Sequence, residues 1–271
     1  MSRIICVGIG DILLYKLVYE TYGLRDPLTI NRDLVRQCRN DSDAYWNFLK
    51  DLIAKLFPDT EIKYIDTPTY QLYHIWPHYP FKPGTDICKY FNLDSIYDFE
   101  YVVIHTKIRL DAGVECTRTD SIKKAFAAAL SGVSSGTLSG RKKIVIMGDK
   151  SIPDIPEKAA VNIQSMYPEL LVLKERYPNL IIDRTVDDLC CSPSIDNFET
   201  DLRILANASM VIGIGGGGYC AMTVLFAKKY KFYVGDFGHS YIKFFKTQNS
   251  PTKMLYASLP DFLAALPEVF I

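Results

Sequence analysis

Short β-branched apolar runs alternate along this chain with longer stretches in which apolar residues recur every three or four positions. The first pattern predicts buried strands and the second predicts helices. RIICVGIG (3–10) reads as a buried strand ending on glycine, and DILLYKLVYETYG (11–23) as the helix after it. PLTIN is a short strand. DSDAYWNFLKDLIAKLFP (41–58) is a helix with Asp or Ser at its start and Pro58 after its end, and EIKYID is the next strand. Residues 67–98 are rich in Pro, Tyr, His and Gly, which predicts irregular chain and a linker.

Beyond the linker the rhythm is regular. YVVIHTKI, KKIVIMGD, NLIIDRT, SMVIGIG and KFYVGDF read as strands. DSIKKAFAAALSG, VNIQSMYPELLVLKERYP, NFETDLRILANA and GGGYCAMTVLFAKKY read as helices, and SLPDFLAALPEVFI as a last helix broken by proline. Alternating strand and helix predicts an α/β fold with a parallel sheet covered on both sides. Both halves open with this pattern. Two Rossmann-like α/β/α domains are therefore expected, residues 1–97 and 98–271, with the last helix placed back on the first domain.

Composition narrows the function. The 271 residues carry 31 basic and 31 acidic side chains, with 48% hydrophobic residues. No basic stripe stands out, so a nucleic-acid or membrane-surface partner is not expected. The seven cysteines form no CxxC and have no histidine beside them, so neither zinc nor a disulfide framework is expected. Cys190 and Cys191 are assigned to packing. No apolar run nears the roughly 18 residues of a membrane helix, and the N-terminus does not read as a signal peptide. A cytoplasmic protein is expected.

VIGIGGGGYC (211–220) holds five glycines within six positions, where a strand ends and a helix begins. The free amides of a helix N-terminus carry partial positive charge, and glycines let a phosphate approach them. The run reads either as a phosphate cradle or as a tight turn with close packing. Gly213, Gly215 and Gly218 also match the spacing of a dinucleotide fingerprint, with Asp236 placed as a ribose-binding acid. That unit normally opens its fold, whereas only about 35 residues follow Asp236 here. A second, shorter motif, Gly8-Ile9-Gly10-Asp11, puts Asp11 at a helix start, either as a cap or as a carboxylate facing a cleft.

GIGDILLYKL resembles the N-terminal motif of the heptosyltransferase-like GT-B glycosyltransferases. LANASMVIGIGGGGYCAMTVLFAKKYKFYVGDF resembles their donor-binding segment in order and hydrophobic rhythm. In size and style the chain also resembles compact glycosyltransferases of large DNA viruses, a xylosyltransferase among them. The resemblance implies two domains facing across a cleft, and inverting, metal-independent sugar transfer from a nucleotide sugar to a glycan hydroxyl. It implies Asp11 as the base and a phosphate-binding Lys near residue 107. The family's Asp-Thr-Gly turn is replaced here by Gly215, Gly216 and Gly217, and Cys220 stands near its His. The usual donor contacts are thus absent, and a different donor is expected, a UDP-sugar being favoured, with no other cofactor.

Within that scheme the donor diphosphate falls to Gly215, Gly216, Gly217, Gly218 and Tyr219, with Lys107 or Arg109 as the clamp. Those two cations alternate with Ile108 along HTKIRLD (105–111). Gly10 and the loop histidines His74 and His78 are acceptor-side candidates, and either histidine is an alternative base. DRTVDDL (183–189) and Asp149 lie at strand ends and read as capping and loop solvation, or as contacts to ribose or base. The rival functions are an NAD(P)-dependent oxidoreductase, an epimerase or pyruvyl transferase on the same scaffold, and a non-catalytic nucleotide-sensing protein.

Overall fold

Arg3–Ile4 (β1) pairs in parallel with Leu28–Asn31 (β2), and β2 pairs with Ile62–Ile65 (β3), giving a three-stranded parallel sheet in the order β1-β2-β3. The computed structural model from which this is drawn describes residues 3–39, 42–68, 85–111, 119–128, 142–150, 161–215, 217–234 and 251–266. Helix α1 (Ile9–Tyr22) starts two residues before its expected place, because Gly8 takes an extended conformation and caps it. A Cβ on Gly8 would lie 2.7 Å from Asp11 Oδ2, so glycine lets the carboxylate fold back over the helix start. Helix α3 (Asp43–Leu56) is capped as expected, the Ser42 hydroxyl accepting from Tyr45 N at 3.1 Å. Helix α2 (Arg32–Arg39) was not expected from its polar sequence; among its described side chains Leu34 and Val35 are buried, and Asn31 Oδ1 accepts from Asp33 N.

The second sheet is built around β4 (Tyr101–Asp111), with β5 (Lys143–Met147), β7 (Ile181–Asp183), β8 (Met210–Ile214), β9 (Tyr230–Tyr233) and β10 (Lys253–Tyr256) in the order β10-β9-β8-β4-β5-β7. These six run parallel. A seventh strand, β6 (Val161–Ser165), runs antiparallel along Lys107–Asp111 of β4. The sequence pattern had placed this segment in a helix. The physical reason lies in β4: its 11 residues outrun β5, which pairs only with Tyr101–His105, and β6 covers the edge left over. The helix that follows, α5 (Tyr167–Arg176), begins where Pro168 can occupy its first turn.

Both faces of the large sheet are covered, as an α/β fold requires. On one face Ile104, Ile146, Ile212 and Ile214 pack with Ile122 and Phe126 of α4 (119–128), Leu170 and Leu173 of α5, and Phe262 of α8 (Leu259–Ala264). Helix α8 therefore lies on β9 and β10 instead of on the first sheet, and Lys231 Nζ donates to Ala265 O at 3.0 Å. Phe262 joins the side chains of α4 and α5 on that face; residues 267–271 lie outside the described residues.

On the opposite face Val103, Val145 and Val211 pack with α6 (Ile195–Asn207) and α7 (Gly218–Phe226). The same buried cluster continues without a break into α1, α3 and the small sheet. Helix α1 packs on α7, and α3 on α6. The segment between the sheets is tied down too: Arg203 Nε donates to Asp94 O at 2.8 Å, and Asn207 Nδ2 to Leu93 O at 2.7 Å.

Candidate functional site

The carboxyl ends of the parallel strands are where ligands bind in open α/β sheets. Here those ends face the first turn of α1. The contact is close because of glycine: a Cβ on Gly218 would lie 3.4 Å from Ile9 Cβ and 3.9 Å from Gly10 N. Two helix N-termini, each with first-turn amides lacking intrahelical acceptors, thus meet at one point. The third participant is β4, whose pairing with β8 shifts register between Ile104 and Ile108. A Cβ on Gly215, at φ 101°, would lie 2.7 Å from both Arg109 N and Arg109 O.

The turn therefore rides directly over Arg109, and Arg109 in turn sits in the field of Asp11. Burial pushes the Asp11 carboxyl up to about 6, and the Arg109 guanidinium opposes that shift. Asp11, Gly10, Arg109, Gly215, Gly217 and Gly218 are brought together by these contacts.

The glycines of the run do different jobs. Gly213 has no room for a side chain, since a Cβ would lie 2.3 Å from the Phe232 ring. Gly215 is needed for its positive φ and its approach to β4. Among the described residues, nothing lies within 4 Å of a would-be Cβ on Gly217, which is at φ 108°. Gly213 and Gly215 thus have packing reasons inside the chain, which weakens the dinucleotide fingerprint they formally match. Gly216, Asp236, His74 and His78 lie outside the described residues.

Beside this junction is a cleft of about 290 Å3. Ile9, Ser42 and Tyr45 form its wall on the small-sheet side. His105, Lys107, Asp149, Cys190, Gly218 and Tyr219 are on the other. Ile9 shares the first turn of α1 with Asp11, and Lys107 lies two residues before Arg109 on β4. Of the expected donor-site residues, Lys107, Gly218 and Tyr219 line it directly. Lys107 Nζ is engaged by Asp149 Oδ2 at 3.5 Å.

Tyr219 cannot offer its hydroxyl to a ligand. It donates to Asp201 Oδ2 at 2.5 Å, and its ring lies against His105 with centroids 4.5 Å apart. Only its backbone amide faces the role expected of it. Asp201 is fully buried and also accepts from Leu189 N at 2.9 Å. Burial raises its carboxyl to about 7, against those donors and Arg184. His105 is buried, and loss of solvation lowers it to about 3, so its ring is neutral at physiological pH.

The segment 183–193 is a built wall. Asp188 Oδ2 accepts from Gly148 N at 2.6 Å, and its Oδ1 accepts from Cys190 N and Cys191 N, both at 3.0 Å. Asp183 accepts from Thr185 and Tyr167. These carboxylates cap and anchor the loop. Cys190 and Cys191, assigned to packing, are instead exposed along the cleft, because the turn on Asp188 directs them outward. Desolvation around its sulfur, with Asp149 and Asp188 nearby, holds the Cys190 thiol well above its usual value although the residue is exposed.

Asp149, left open in the sequence between loop solvation and a ribose or base contact, and Cys190, assigned to packing, both line the cleft, and so does Tyr45, to which no role was assigned from sequence. The signal was their position at a strand end or helix start beside the cleft. Among the described residues no group of three or more His, Cys, Asp or Glu is placed to hold a metal, and no helix is long and apolar enough to cross a membrane.

No protein-family model matches the chain, and neither does any curated protein sequence. Solved structures give loose likenesses. One is a dodecameric iron-containing heptosyltransferase, TibC, in complex with ADP-D-beta-D-heptose, at 12% identity and TM-score 0.38, over 87% of this chain and 56% of that one. The chain thus spans little more than half of that protein. A second is the E. coli ADP-heptose LPS heptosyltransferase II, at 10% identity and TM-score 0.39, over 96% and 88%. A third is the glycotransferase of kitacinnamycin, at 10% identity and TM-score 0.29, over 96% and 70%. At these scores the functional reading rests on the chain's own residues.

Proposed function

We propose that the chain is a glycosyltransferase of GT-B type, which moves a sugar from a nucleoside-diphosphate sugar to an acceptor hydroxyl at the junction of α1, α7 and β4. The domains would be residues 1–97 for the acceptor and 98–271 for the donor. The observation that carries this reading is the juxtaposition of Asp11, held near pKa 6 beside Arg109, with the glycine-bounded N-terminus of α7.

The chemistry follows from these groups. A base acts best when its pKa lies near the working pH, and Asp11 meets that condition. Ionised, it takes the proton of the acceptor hydroxyl as that oxygen bonds to the sugar's anomeric carbon. The bond from that carbon to the donor phosphate breaks, and its electrons leave with the diphosphate. The amides of Gly217, Gly218 and Tyr219, with Arg109 and Lys107, face that leaving charge. Attack opposite the leaving group inverts the anomeric centre, and no metal is needed where these groups supply the positive field. A UDP-sugar donor, a glycan acceptor and a cytoplasmic setting complete the proposal.

Asp11→Asn tests it. The variant keeps the shape of the side chain and removes the base. Sugar transfer is expected to fall by about 10²-fold or more, while nucleoside-diphosphate binding stays within a few-fold. Unchanged transfer would remove Asp11 from the mechanism.

A further inference from the structure

Among the described residues lining the cleft, the charged ones are Lys107 and Asp149, and they face each other at 3.5 Å. His105, in the same wall, is neutral by burial and cannot take over the role of Lys107. The placement of Asp149 is built from several directions. Its carbonyl accepts from Thr106 Oγ1 at 2.9 Å and from Ser165 Oγ at 2.5 Å. Gly148, just before it, is at φ 110° and donates its N–H to the buried Asp188. A Cβ at Gly148 would lie 2.7 Å from Thr106 Oγ1 and 2.8 Å from His105 Nε2. Three strands and the Asp188 loop thus fix the backbone from which the Asp149 carboxylate reaches Lys107.

Resting on the donor-site reading above, we propose that Asp149 is an internal competitor for the anion site and sets its selectivity for diphosphate over monophosphate. Its carboxylate stands at Lys107 where a ligand phosphate would stand. A monophosphate that displaces it exchanges one anion for another at the same cation and gains little. A diphosphate makes the same exchange and sets its second phosphate against the N-terminal amides of α7, which line the same cleft at Gly218. The net gain belongs to the longer anion.

The test is calorimetric titration of the full chain with inorganic phosphate, pyrophosphate, UMP and UDP. The proteins are wild type, Asp149→Asn, Lys107→Met and the double variant. Removing one like charge at this range is expected to tighten phosphate and UMP by about five- to tenfold in Asp149→Asn, and to narrow the UDP-to-UMP ratio. Lys107→Met cancels that gain, so the double variant matches Lys107→Met. Unchanged or weaker binding of all four anions by Asp149→Asn overturns the proposal. If wild type binds UDP and Asp149→Asn tightens nothing, the competitor fails and the donor reading stands. If Asp149→Asn gains phosphate while wild type binds no nucleoside diphosphate, the competitor stands and the donor reading fails. Equal melting temperatures for wild type and Asp149→Asn confirm that the fold is intact, since the fixing bonds are to backbone.

Discussion

The half-buried Asp11 is asked to lose solvation and to be ionised, and these demands oppose each other. Its folded pKa of about 6 lies above the ordinary 3.8. The native state therefore holds this proton more tightly than the unfolded chain does. The stability it contributes is complete below pH 3.8 and is lost as pH rises through about 6. Asp11→Asn should accordingly melt higher than wild type at pH 8, by the equivalent of about 1–3 kcal/mol, and no higher at pH 4. Melting curves at the two pH values check this. Arg109 opposes the burial shift, so Arg109→Met should move the rising limb of the pH–rate profile to higher pH. A limb that stays near pH 6 would show that another group titrates. The Gly8-Ile9-Gly10-Asp11 motif left Asp11 open between a helix cap and a cleft carboxylate, and only the family resemblance named it as a base. Its pKa was not legible, because it depends on Arg109, almost a hundred residues away, and on how deeply α7 covers α1.

At the scale of elements, the glycine turn and the wall behind it decide whether the site exists. Gly215→Ala forces a side chain onto β4 backbone at a positive φ, and should lower stability by about 2 kcal/mol or more. Gly217→Ala is strained at φ 108° but meets no neighbour among the described residues, so it should cost about 1–2 kcal/mol and act chiefly on ligand binding. Chemical denaturation of the two variants gives the order. Tyr219→Phe leaves the buried Asp201 short of one donor and should cost about 1–3 kcal/mol. The strand–turn–helix around the glycines could be read from the alternation of apolar residues and the helical spacing after it. The strand β6 could not. VNIQS carries no strong strand signal of its own; what makes it a strand is the uncovered outer half of β4, a fact of tertiary structure. Helix α2 was hidden for a similar reason: its sequence is mostly polar, with the apolar pair Leu34 and Val35 buried.

At the scale of the molecule, the two sheets share one buried cluster, which runs from Ile5 and Leu13 through Phe198 and Tyr219 to Phe232. A core that is continuous across both sheets predicts a single cooperative unfolding transition. Calorimetry would show two transitions if the halves were independent. The alternation of strands and helices announced both halves from the sequence. It could not show that α1 meets α7 and α3 meets α6, because nothing in either helix alone names its partner across the boundary. That meeting is also what forms the cleft. The account's central claim is that this cleft holds a nucleoside diphosphate. The most direct test is the melting temperature of the full chain with UDP, GDP, ADP, CDP, CMP, NAD and NADP, each at millimolar concentration, since a ligand of the folded state raises it by mass action. The account predicts a rise with a nucleoside diphosphate that is lost in Lys107→Met. A rise with NAD or NADP alone, or with none of the seven, would contradict it.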